Sequence, residues 1–557
     1  MHTERARRRN SCLRAPPAMI RTLTPRWNAA ARAWLWIASV IASGMIATAH
    51  AQRPGEAVAH ARPDQHLSLT NTPKGGLAAR RPLRGTLGMP IIAGTFADVT
   101  PKFHRAVYDT AFFGSNAGVG PYSVARYYRE VSLGSLSFSG ATTPWIRLPR
   151  SRASYVDGDP ATVWQRYGEF ARDLLQRADA IVDWRRYDND GPDGMPNSGD
   201  DDGAVDIAVL LQPGSEYRCG ADSLRGFRET GYRLSLLPGW NGQPYVTKAI
   251  GAAGRPIIID DFVGASAVAC QDGEIVPTRV NIPVHEIGHV LGLPDLYDYD
   301  GSSFGVGGWD IMGIWAAPAA RPPHFGAWAR ERLGWAAVRH VSASGRVELK
   351  GVASGGDLVR IDLNGSREYV LLEHRTAQGA DASAPGTGLL IWHVNEAVLD
   401  ARPWGINDDE RRPAVQVIQA DGRDDLAARA NVGDDGDPFP GSSEIVAISD
   451  ASVPGLLTSE GIPTGIRIDG IAIAGDRVTF DVTFSDATIV AAEAAEVLKS
   501  LTVQQALRAV VDPASLDESR RRALDSIGNR NGRVDVGDVI RFRRMLEVGL
   551  AEASNNQ

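Results

Sequence analysis

Fifteen residues near the middle of the chain, VHEIGHVLGLPDLYD (284–298), restrict the local fold more than any other stretch. His285 and His289 are four apart, so on a helix both imidazoles project from one face and can ligate a single zinc ion. Glu286 sits between them, where its carboxylate can take a proton from water beside the metal and pass it to a departing group. Gly292 follows the second histidine by three residues and Asp295 follows it by six. A glycine there can adopt positive φ, stop the helix and turn the chain back, so that the residue three further on faces the same metal. Asp295 is therefore the expected third ligand, an anionic oxygen that zinc accepts. Asp298 is a reserve candidate; otherwise it and Tyr297 belong to a supporting loop.

Downstream, GVGGWDIMGIW (305–315) places Met312 in a glycine-flanked turn that can form an apolar floor under the metal. HEIGHVLGLPDLYD, GGWDIMG and HFGAWARERLGW (324–335) together resemble the immune inhibitor A-like family of secreted bacterial metalloproteases. The resemblance continues through SVARYYREVSLGSLSFSG (123–140), YDNDG, GTGLLIWHVNE, QADGRDDL and GDDGDPFPG, covering about residues 88–485. It implies a metzincin-like α/β catalytic domain, zinc on His285, His289 and Asp295, Glu286 as the catalytic residue, Met312 in the methionine turn, and protein or peptide substrates. Metzincins usually take His as third ligand, so Asp295 is a departure in ligand type. The leading expectation is a secreted zinc endopeptidase. Its alternatives are hydrolysis of a non-peptide amide and a calcium-stabilised extracellular binding or adhesion protein with an inert zinc site, against which the intact Glu286 speaks.

The N-terminus agrees with export. An arginine-rich arm (Arg5, Arg7, Arg8, Arg9, then Arg21, Arg26 and Arg32) precedes the apolar run AWLWIASVIASGMIA, and Ala49, His50 and Ala51 supply a small-x-small pattern. Residues 1–51 are expected to be a signal peptide cleaved before Gln52, with an uncleaved anchor as the rival and Met19 as a second candidate start. This leader carries eight Arg and one Glu, so its loss takes the formal net charge from −7 to −14. So acidic a chain is unsuited to nucleic acid or an anionic membrane and fits a soluble extracellular protein. Only Cys219 and Cys270 then remain, and in an oxidising compartment they are expected to form a disulfide.

The chain divides by texture. Residues 52–88, rich in Pro, Gly, Arg and Ala, are expected to be a linker or short propeptide, and 89–345 the zinc-protease domain. Residues 161–182 carry a helical apolar pattern and VDIAVLLQ that of a buried strand. Between them, Asp188, Asp190 and Asp193 lie in a loop of Asp, Asn and Gly suited to calcium or simply to water. Residues 346–486 alternate as short strands (LVRIDL, REYVLLEH, GTGLLIWHV, AVQVIQA, RVTFDVTF) and are expected to form a β-sandwich-like domain. Residues 487–557 read as a small helical module resembling half of a dockerin, with Asn529, Asn531, Gly532, Asp535 and Asp538 at ligand and turn positions. Ile527 stands where the first calcium ligand would be and cannot coordinate. Calcium there, and docking to an extracellular scaffold, are what that second resemblance implies.

Overall fold

The computed structural model describes residues 84–114, 122–189, 191, 198–215, 219, 224–271, 273–314, 321–363, 366–402, 405–485, 497–498, 500–527, 533–543 and 546. The expected signal peptide, Asp190, Asp193, Asn529, Asn531 and Gly532 lie outside these residues. Among them, no helix is long and apolar enough to cross a membrane.

Among the described residues, the first strand lies inside the expected linker. Gly85–Gly88 is a strand that pairs in parallel with Leu136–Ser139 and buries Leu87. Four residues with two glycines carry no readable period, so only the partner strand reveals this one.

Five strands form the first large sheet: β1 (Ile91–Thr95), β2 (Ile146–Arg147), β3 (Ala208–Gln212), β4 (Thr230–Arg233) and β5 (Asp261–Ser266), in the order β2-β1-β3-β5-β4. All are parallel except β4, which closes the edge antiparallel to β5. Successive side chains alternate between faces, and both faces are buried. Ile91, Ala93, Val209, Leu211, Val263 and Ala265 enter one core. Ile92, Ala208, Leu210 and Phe262 enter the other.

Helices cover both faces. On the first core lie α1 (Val124–Val131) and, further along the chain, the helix carrying the histidines; on the second lies α2 (Val163–Ala178), whose Phe170, Ala171, Leu174, Leu175 and Ala178 are buried at helical spacing. α1 stops at a left-handed turn. Leu133 and Gly134 both take positive φ, and the Gly134 amide donates to Arg129 O at 2.7 Å, as a helix-terminating turn requires.

Each of the five later segments read as strands is a strand. A five-stranded sheet contains β6 (Val338–His340), β8 (Leu358–Leu363), β9 (Glu368–Arg375), β10 (Gly388–Asn395) and β11 (Val415–Ile418) in the order β6-β8-β9-β10-β11. It faces a four-stranded sheet in which β7 (Gly345–Lys350) leads to β14 (Arg477–Phe484), β13 (Ile466–Ala474) and β12 (Ile448–Ser449). β9 and β10 are buried along their whole length because alternate residues serve two interiors. Val370, Leu372, Leu389 and Ile391 meet Ile468, Val478 and Phe480 of the opposite sheet. Tyr369, Leu371, Leu390, Trp392 and Val394 join the core that holds α1 and the histidine helix. The apolar interior therefore runs through residue 345 without a break.

At the C-terminal end, helices Val503–Val511 and Glu518–Ile527 enclose a small separate core of Leu498, Leu501, Ala506, Leu524 and Phe542. Ile527 is buried in it, which accounts for an apolar residue at that position. Cys219 and Cys270 are disulfide-bonded, as their isolation in the sequence suggested, with Cα atoms 5.1 Å apart.

Candidate metal centre

The histidines stand on α3 (Asn281–Val290), which packs Val284, Ile287 and Val290 into the first core. Beyond it Gly292 has φ 98°, and the Leu293 amide donates back to Gly288 O at 3.0 Å. This glycine turn reverses the chain and brings Asp295 to the histidine face. Asp295 Oδ1 lies 2.9 Å from His285 Nε2 and 3.4 Å from His289 Nε2, and the three candidate ligand atoms lie within 4.8 Å of one another. Two donors on one tetrahedral zinc, each about 2.0–2.1 Å from it, stand roughly 3.3 Å apart, so the spacing suits the ion.

The protein sets the orientation of each donor. His285 Nδ1 lies 2.8 Å from Ile311 O and His289 Nδ1 lies 2.9 Å from Leu293 O. A carbonyl only accepts, so Nδ1 carries the hydrogen on both rings, and in the neutral form Nε2 offers its lone pair toward Asp295. On Asp295, Tyr299 Oη donates to Oδ2 at 2.6 Å, leaving Oδ1 buried with only the two imidazoles to face. Such an atom, aimed between two imidazoles, fits a metal ligand. In the metal-free site the electrostatics favour protonated imidazoles, whose Nε2 protons a bound metal would displace. Burial acts against a charged His289, but the Asp295 carboxylate outweighs it and raises the imidazole to about 9; His285 moves the same way. Burial likewise acts against ionised Asp295, yet the two imidazoles hold it well below the usual carboxylate range.

The glycine-flanked turn that carries Met312 packs against α3. Met312 is fully buried, and its sulfur sits so close to Gly288 that a β-carbon there would be 2.5 Å away. Asp310 ties the turn together by accepting from Met312 N and Gly326 N, each at 2.7 Å. Gly231 of the edge strand β4 approaches α3 equally closely, since a β-carbon would come within 2.0 Å of Glu286 O.

Among the other candidates, Glu286 is on α3 beside His285 and largely buried. Asp298 is not gathered to the histidines. Its carboxylate accepts from the amides of Asp300, Gly301 and Ser303 and from Ser302 Oγ at 2.6–3.1 Å, which makes it the organiser of the supporting loop. Asp188 is buried and accepts from Gly203 N at 3.0 Å. Asp535 and Asp538 form a reciprocal cap on the helical turns of residues 536–543: Asp538 Oδ2 accepts from Asp535 N at 2.8 Å, and Asp535 Oδ1 from Asp538 N at 3.3 Å. Sequence reasoning missed Tyr299 and Asp310. The four-residue offset from Asp295 to Tyr299 was the one available hint.

Residues 97–336 match the family model for the catalytic domain of immune inhibitor A peptidase M6. Immune inhibitor A of Bacillus thuringiensis subsp. alesti is 27% identical over 231 residues, 39% of this chain and 32% of that protein. The pre-pro-metalloprotease PrtV of Vibrio cholerae serotype O1 (strain M66-2) is 28% identical over 253 residues, 42% of this chain and 26% of that protein. The chain thus spans about a third or less of the relatives it matches. Together with the histidine–aspartate cluster, these likenesses bear out the resemblance read from the motifs: residues 97–336 are similar to the catalytic domain of the immune inhibitor A peptidase M6 metalloproteases.

Proposed function

We propose that the chain is a secreted zinc endopeptidase acting on extracellular proteins, with His285, His289 and Asp295 as ligands. The observation that carries this reading is Asp295 Oδ1, buried, within 3.4 Å of both imidazole Nε2 atoms and facing no other polar partner. Bound there, zinc would supply Lewis acidity, polarising a carbonyl oxygen and acidifying a water molecule. Glu286 accepts the proton that water loses as its oxygen attacks the peptide carbon, and returns it to the amine nitrogen as the C–N bond breaks. His285 and His289, held by Ile311 O and Leu293 O, keep Nε2 directed at the site throughout. The leader and the Cys219–Cys270 disulfide support an oxidising, extracellular setting. An inert binding protein is not favoured, since the matched segment is a catalytic domain and Glu286 is intact.

Zinc content of the purified mature protein, measured beside casein cleavage with and without a chelator, tests the reading. One equivalent of zinc, activity lost on chelation and activity restored by zinc are expected. Cleavage that survives complete metal removal would sink it.

A further inference from the structure

The methionine turn is held from outside the matched segment. Arg375, at the end of β9 and fully buried, donates from Nη1 to Trp309 O at 2.8 Å. Its Nε lies 3.0 and 2.9 Å from the two oxygens of Asp381, and Nη1 lies 3.1 Å from Glu373 Oε1. On the other side of the same residue, Trp309 Nε1 donates to buried Asp437 at 2.8 Å. Both the backbone and the side chain of Trp309 are thus fixed by residues of the later β-rich region. Two residues on, Ile311 O receives the His285 Nδ1 hydrogen. A shift of the 309–311 backbone therefore rotates His285, and with it the Nε2 lone pair.

From this geometry we infer that Arg375, aided by Asp437, is a positioning residue for the metal site, acting through Trp309 and Ile311 on His285. The inference rests on the zinc reading above. It assigns the β-rich region a part in the catalytic centre: the charges of Arg375, Asp381 and Glu373 are buried at the seam, where an isolated cation would be costly and a paired, hydrogen-bonded one is rigid. Arg is suited to the task because its planar fork serves two carboxylates and a carbonyl at once, which an ammonium cannot do with the same geometry.

The test uses the full chain with Arg375→Lys, which keeps the charge and loses the fork. Zinc affinity by chelator competition, the visible spectrum of the Co(II)-substituted protein, and kcat and KM are compared with wild type. The expected result is zinc bound about tenfold more weakly, as for other residues that orient metal-ligating histidines, with an altered Co(II) spectrum and a fall in kcat at nearly constant KM. Wild-type zinc affinity and spectrum in folded Arg375→Lys would overturn the inference. Should Arg375→Lys not fold, Trp309→Phe, which removes the indole donor to Asp437 together with part of the buried ring system, decides in its place: a weaker but parallel change supports the clamp, and an unchanged spectrum and affinity overturn it. A wild-type chain with no tight zinc site would instead overturn the underlying function, and this inference with it.

Discussion

Gly288 of the metal helix and Met312 of the methionine turn meet so closely that no side chain fits between them: a β-carbon on Gly288 would stand 2.5 Å from Met312 Sδ. Gly288→Ala must displace either the buried thioether or α3, and overpacking of this kind costs about 1–3 kcal/mol. Thermal unfolding of the zinc-loaded variant should show that loss. Combining it with Met312→Ala vacates the space, so the double variant should lose less than the two single losses added. Full additivity would show that the contact is not shared.

Glu286→Gln removes the proposed proton carrier and leaves the proposed ligands in place. Zinc content should stay at one equivalent while kcat falls by about 10²–10⁴, the usual worth of a general acid–base group. Turnover near wild type with full zinc would assign proton transfer elsewhere.

Asp295 and Asp298 separate ligation from loop support. Asp295→Ala should empty the site or weaken it severely, because two imidazoles alone lack the anionic donor. Asp298→Ala removes the acceptor of four hydrogen bonds from the 300–303 loop, so it should lower unfolding stability while zinc stays bound. Tyr299→Phe, which frees Asp295 Oδ2, should fall between them, with zinc affinity down about 10–100-fold and the fold intact. Zinc retained in Asp295→Ala but lost in Asp298→Ala would reverse the ligand assignment.

His324 gives the acid limb of stability a specific source. Burial pushes its imidazole down to about 3, while Nδ1 lies 2.8 Å from Phe325 O. The unfolded chain therefore binds a proton at this residue between about pH 6.5 and 3 that the folded chain does not. The stability is fully present above pH 6.5 and lost as pH falls, at up to about 1.4 kcal/mol per pH unit. Asp310 works the other way: burial raises it to about 6, so the fold gains a proton early and offsets part of the loss below that pH. Denaturant unfolding from pH 7 to 4 should give a shallower decline for His324→Gln than for wild type. Parallel declines would show that His324 does not contribute.

How far the sequence reached follows from the range of each interaction. Four-residue spacing on a helix, the positive φ of Gly292 and the return to Asp295 all lie within eleven residues, so local backbone rules were enough to assemble the candidate ligand set. Five of the strands between 358 and 484 were likewise legible, because alternation of apolar residues is a property of each segment. The strand at Gly85–Gly88 was not, having no period of its own.

By itself, then, the sequence determined which side chains form the candidate metal cluster and where helix α3 ends, since both depend on short-range geometry. Only the tertiary structure decided what holds those side chains in place. Trp309 meets Arg375 across 66 residues and Asp437 across 128. The two faces of β9 and β10 are both apolar, and the pattern along a strand does not say which core each face will join. That choice is made when the sheets pack, and it is packing that brings a buried arginine against the carbonyl of the methionine turn.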